Sequence, residues 1–139
     1  MENGPAMTQV VVPVRYPLTE HSMATLATAT DIAAERDAQL TVLHVDQYQS
    51  DGTVARATLK DAVESEFGRL PNARFVVRKG LLVEKTLLDE IAAEEADVVV
   101  IGKKQAGRWR EMIRRLVDDP DIEHYLRNEL DCDVVTAEP

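Results

Sequence analysis

The chain has one cysteine, Cys132, in 139 residues. No intrachain disulfide can form, which suits a reducing compartment. Aromatic residues make up only 4% of the sequence, so a core has to be filled by Val, Leu, Ile and Ala. Long apolar runs are missing as well. The longest span about five residues, where a membrane span needs roughly 20. Met1 to Ala6 hold an acid and no basic residue, so they do not read as a secretory signal. Residues 1–7 read as a disordered leader, Met7 offers an alternative start, and residues 8–139 read as one domain with a cytoplasmic location. No Walker lysine motif, nucleophile elbow or Cys-His zinc spacing occurs. Positive charge is scarce: the net charge is −9, which opposes nucleic acid or anionic lipid over most of the surface. Arg outnumbers Lys by 11 to 5. An acidic, lysine-poor surface is expected of a salt-loving organism, and an ordinary acidic cytosolic protein is the alternative.

Five short Val-rich runs punctuate the chain: Val10–Val14, Leu40–Val45, Arg74–Val77, Val98–Ile101 and Val134–Ala137. Their apolar residues run on rather than alternate, as in strands covered on both faces. Helical stripes lie between them. Met23, Leu26, Ala27, Thr30 and Ala34 recur at steps of three or four. So do Leu59, Ala62, Val63, Phe67 and Leu70, and then Val83, Leu87, Leu88, Ile91 and Ala92. After the fourth run come Trp109, Met112, Ile113 and Leu116, then Ile122, Tyr125, Leu126 and Leu130. Asp46 to Thr53 reads as a surface loop. Strand alternating with helix predicts an open, doubly wound, Rossmann-like parallel sheet with helices on both faces.

The order of motifs resembles the universal stress protein family over about Thr8 to Ala137. The resemblance rests on the opening strand ending Pro13-Val14, the second strand ending Leu43-His44-Val45, and Gly80 ahead of an amphipathic helix. It rests also on Ile101-Gly102 leading into a basic, glycine-containing loop, on Glu123-His124-Tyr125-Leu126-Arg127, and on Cys132 before the last strand. The resemblance implies a five-stranded sheet of order 3-2-1-4-5 and a homodimer formed by pairing the last strands through Val134, Val135 and Thr136. It also implies an ATP crevice between the first and fourth strands, where open α/β sheets hold their ligands. The candidate crevice residues are Pro13, Val14, Arg15, Val45, Gly102, Lys103, Lys104 and Gly107.

The family's ATP signature has a glycine, two residues, a second glycine, nine residues, then Gly-Ser or Gly-Thr. Glycines let backbone approach phosphates, and the Gly-Ser pair opens a helix whose free amides take the terminal phosphates. Gly102 matches the first glycine, but Gln105 stands where the second belongs. Gly107 serves only in a longer loop, and nine residues on from it stand Val117 and Asp118. The helix entry reads Asp118-Asp119-Pro120-Asp121, with Asp119 a good N-cap and Pro120 suited to the first helical position. These carboxylates favour the helix end and repel a triphosphate. Where ATP-binding relatives often carry an acid after Pro-Val, this chain has Arg15. That arginine covers the crevice, pairs with an acid such as Asp46, or meets an anionic ligand.

Lys103, Lys104, Arg108, Arg110, Arg114 and Arg115 form a basic cluster. Its plain reading is a solvated helix face balancing acids such as Glu111 and Asp118; a small-anion site is the other. Nucleic acid is disfavoured because stacking aromatics are few. His44 reads as a packed, hydrogen-bonded histidine, and His21 and His124 have no second metal ligand at the right spacing. Asp131 and Asp133 flank Cys132 and dull its thiolate chemistry. Trp109 reads as core or crevice wall. The edge at Val134-Val135-Thr136 is open to pairing, unless Asp133, Glu138 and Pro139 protect it. The expectation is a non-enzymatic, dimeric stress-response module with no required cofactor and no metal, and with weak or absent ATP binding. The alternative is an adenine-nucleotide binder using a rearranged Gly102–Gly107 loop. A small enzyme acting on adenylated substrates lacks the nucleophile and phosphate loop it would need.

Overall fold

Beta-branched runs set the sheet. A computed structural model describes residues 8–47, 55–116 and 132–137. β1 (Gln9–Pro13), β2 (Gln39–Gln47), β3 (Ala73–Gly80), β4 (Val98–Gly102) and β5 (Asp133–Ala137) form one sheet of order β3-β2-β1-β4-β5. Every neighbouring pair is parallel. The helices are α1 (Glu20–Arg36), α2 (Arg56–Phe67), α3 (Val83–Ala93) and α4 (Lys103–Leu116). The expected leader, the Asp118–Asp121 helix entry and the stripe from Ile122 to Leu130 lie outside the described residues.

Residues of one strand divide between two cores, because successive side chains point to opposite faces. Val10, Val12, Leu40, Val42, Val98 and Val100 pack with Leu26 and Ala29 of α1 and with Leu59 and Val63 of α2. Val11, Leu43, Val99 and Ile101 pack on the other face with Leu87 and Ile91 of α3 and with Trp109 and Ile113 of α4. Two helices therefore cover each face. The expected stripes hold for α2 as far as Phe67, with Leu70 beyond the helix end, and for α3 apart from the exposed Ala92. For α1 the buried face is Ser22, Thr25, Leu26, Ala29 and Ala33, while Ala27 and Ala34 are exposed. Small residues let α1 lie close to the sheet. The Thr25 hydroxyl donates to the His21 carbonyl at 2.8 Å, so it can be buried without losing its hydrogen bond.

Two expectations change at the carboxyl edge of the sheet. Asp46 does not open a loop. β2 continues through Asp46 and Gln47, which pair with Lys79 and Gly80 of β3. Lys103 does not open a loop either, since α4 starts directly after β4. Ala106, Trp109 and Ile113 are buried at steps of three and four. That helical spacing outweighs the cost of Gly107 inside α4, about 1 kcal/mol relative to Ala.

Candidate functional site

The chain leaves β1 for α1 and β2 on one side, then crosses after β3 to β4 on the other. Such a reversal opens a crevice beyond the carboxyl ends of the two central strands. Here it has a volume of about 520 Å³. Pro13, Val14 and Arg15 enter from the end of β1, and Val45 from β2. Gly102, Lys103 and Lys104 enter from the junction of β4 and α4. These candidate residues are brought together. Gly107 is not: it lies within α4 and does not line the crevice, so the rearranged Gly102–Gly107 loop is not the conformation seen.

Gly102 allows a close approach. A Cβ there would stand 3.1 Å from the Thr25 hydroxyl oxygen of α1. At the crevice floor, His44 is buried and held on both ring nitrogens. Nδ1 lies 3.1 Å from the Val14 carbonyl oxygen and Nε2 lies 2.7 Å from Asp46 Oδ1. Tyr16 meets the imidazole edge-on, with ring centroids 6.4 Å apart. Asp46, one of the acids that Arg15 was expected to meet, is the partner of His44.

The upper wall is basic. Arg15, Lys103, Lys104 and Arg108 all line it. Arg108 Nε lies 3.3 Å from Glu84 Oε1 of α3, close enough for charge attraction but without hydrogen-bond alignment. Burial, together with the nearby Arg15 charge, lowers the pKa of Arg108, and Glu84 opposes this. Arginine stays charged at neutral pH all the same. Gln105 Oε1 accepts from Arg108 Nη2 at a long 3.4 Å, and Gln105 Nε2 is buried with no partner among the described residues. Elsewhere on α4, Arg114 pairs with Glu111 at 3.2 Å, as a solvated face would. Trp109 is fully buried in the core beneath β4, and Cys132 is buried in that same core.

Tyr16, Thr19 and Gln105 also line the crevice. Tyr16 and Thr19 sit in the β1–α1 connection, where no periodicity marks a wall. Gln105 had one cue, its place where a glycine was expected.

The family model described as "Universal stress protein family" matches residues 7–137. No curated protein matches the chain. Among solved structures, universal stress protein UspA from Lactobacillus plantarum is 21% identical with a TM-score of 0.61, covering 96% of this chain and 99% of its own. A protein of the universal stress protein family from Burkholderia pseudomallei is 16% identical with a TM-score of 0.62, covering 96% and 98%. A universal stress protein solved in complex with cAMP is 19% identical with a TM-score of 0.55, again covering 96% and 98%. At such identities these likenesses speak for the fold alone. The strand order matches the one the sequence resemblance implied, and with the family model spanning nearly the whole length, this chain belongs to the universal stress protein family.

Proposed function

We propose that the chain is a non-enzymatic, regulatory binding module of the stress response whose crevice takes a ligand without the family's phosphate loop, so that ATP is bound weakly or not at all. The observation that carries this is the start of α4 at Lys103, directly after Gly102. In a helix only the first turn leaves amides free; beyond it the backbone bonds to itself and cannot wrap a triphosphate. The absence of catalysis is supported by His44, which is tied on both nitrogens, and by Cys132, which is buried. The test is the nucleotide content of protein purified natively, released by denaturation and separated by anion exchange. The reading predicts far less than one nucleotide per chain. A stoichiometric yield of ATP would overturn it.

A second reading keeps an adenine nucleotide in the crevice, with Lys103 and Lys104 on its phosphates. Their place on the crevice wall favours it, as does the similar universal stress protein captured with cAMP. It requires that Lys103→Ala combined with Lys104→Ala weaken nucleotide binding clearly. We also propose a homodimer through β5. The strand ends the sheet, with Val134 and Val135 half-buried and Thr136 exposed. An unpaired edge of this kind invites a second copy and a two-fold pair. Sedimentation equilibrium should find twice the 15.5 kDa monomer; a monomer at high concentration would refute the pairing.

A further inference from the structure

We propose that the crevice holds one compact phosphoryl dianion, gripped by Arg15 and Arg108 with Lys104 and the Gln105 amide beside them. This rests on the reading of the crevice as a ligand site, and it specifies the chemistry of that ligand.

Charge is the first ground. In a chain of net charge −9, the crevice wall gathers Arg15, Lys103, Lys104 and Arg108. The one carboxylate among the described lining residues is Asp46, and it is engaged by His44 at 2.7 Å. The cations also come from two separate elements. Arg15 leaves the end of β1, and the others sit on α4. The sheet topology brings them to one place, so they are more than a run of like residues along one helix. Burial first, and then the nearby Arg15 charge, disfavour the Arg108 charge, and Glu84 at 3.3 Å offsets only part of this. Among the described residues no carboxylate pairs with Arg15. Two like charges facing one crevice are relieved by a shared anion.

Unused donors are the second ground. Arg108 Nε and Gln105 Nε2 are removed from water and have no hydrogen-bond partner among the described residues. Buried donors are normally satisfied. The Gln105 oxygen is turned to Arg108, which leaves its NH₂ group to a ligand. The first turn of α4 carries no acid, so no side chain of that turn competes for an anion. The wall therefore offers many donors and few acceptors.

A phosphoryl group matches that inventory. Its terminal oxygens accept several hydrogen bonds at once, and guanidinium groups bind it in bidentate fashion. Longer polyphosphates need more free backbone amides than the first turn of α4 provides. Free phosphate and the phosphate of a monoester share this chemistry.

The test titrates the full-length protein at low ionic strength with inorganic phosphate and, separately, with ribose 5-phosphate, followed by calorimetry. We expect saturation by at least one probe at millimolar concentration or below. Arg15→Gln and Arg108→Gln should each weaken it about tenfold. Arg110→Gln, exposed on α4 and outside the crevice, should stay within about twofold. Arg108 also packs against Glu84, so Arg15→Gln, at an exposed position, is the decisive variant. The probe that binds tighter names the source. Failure of both probes to saturate at tens of millimolar, or unchanged affinity in Arg15→Gln, overturns the proposal. A parallel ATP titration separates the two claims. Phosphate binding lost in Arg15→Gln, together with tight ATP binding, would leave this site standing and defeat the proposed weakness toward ATP.

Discussion

Gly80 ends β3, and the structure shows why no side chain fits there. A Cβ at Gly80 would stand 2.7 Å from Thr86 Cβ and closer still to its hydroxyl. Thr86 cannot swing away, because its Cβ is fixed by the backbone and its hydroxyl donates to the Leu82 carbonyl at 2.9 Å. Gly80→Ala should therefore lower stability by about 1–3 kcal/mol in urea unfolding. Adding Thr86→Ala should recover only part of the loss, since the Thr86 Cβ would remain. Asp37 is a second informative residue. It closes α1 in the left-handed region at φ 51, its N–H bonding back to Ala33 and Ala34. A carboxylate there faces the negative end of the helix. Asn tolerates the same backbone without the charge. Asp37→Asn should stabilise the protein by about 0.3–1 kcal/mol in thermal unfolding, and a loss of stability would contradict this account of the cap.

Among the elements, α4 decides the functional reading, and Trp109 anchors it. The side chain is fully buried, and its indole N–H has no partner among the described residues. Trp109→Ala should cost about 3–5 kcal/mol. Trp109→Phe should cost less, because it removes the unpaired donor along with the lost volume. Trp109 is the sole tryptophan, so wild-type unfolding can be followed by its emission, and circular dichroism serves for the variants. A cost near zero for Trp109→Ala would mean that α4 does not pack as described. The elements were legible in the sequence to different degrees. α2 and α3 showed their buried faces because Leu, Val and Ile mark them. α1 did not, because Ser22, Thr25, Ala29 and Ala33 are small or polar and hydropathy passes over them. The helical stripe of α4 was visible from Trp109 onward. Its first turn was obscured because Gly102 and Gly107 suggested a phosphate loop, whereas Ala106 and Trp109 pack as helix.

At the scale of the whole molecule, the five strands and their parallel pairing follow from the Val-rich runs. Their spatial order was implied by the family resemblance and could not be read from hydropathy. The crevice residues at strand ends, such as Val14, Val45 and Gly102, were accessible by the switch-point rule. Gln105 and Tyr16 were not, because loops and side-chain directions place them. The excess of acid gives a global prediction. A net charge of −9 repels itself, and raising salt from 0.1 to 1 M shortens the screening length from about 10 to about 3 Å. The melting temperature should rise over that range; a fall would show that local ion pairs outweigh the global repulsion. We propose that the helix following Gly102, in place of a glycine loop, denies the crevice a triphosphate cradle. Isothermal calorimetry with ATP, in low and in high salt, tests it most directly. No saturable heat is expected at micromolar ATP in either salt. Micromolar binding would show that the triphosphate finds its cradle despite α4, and would contradict the proposal.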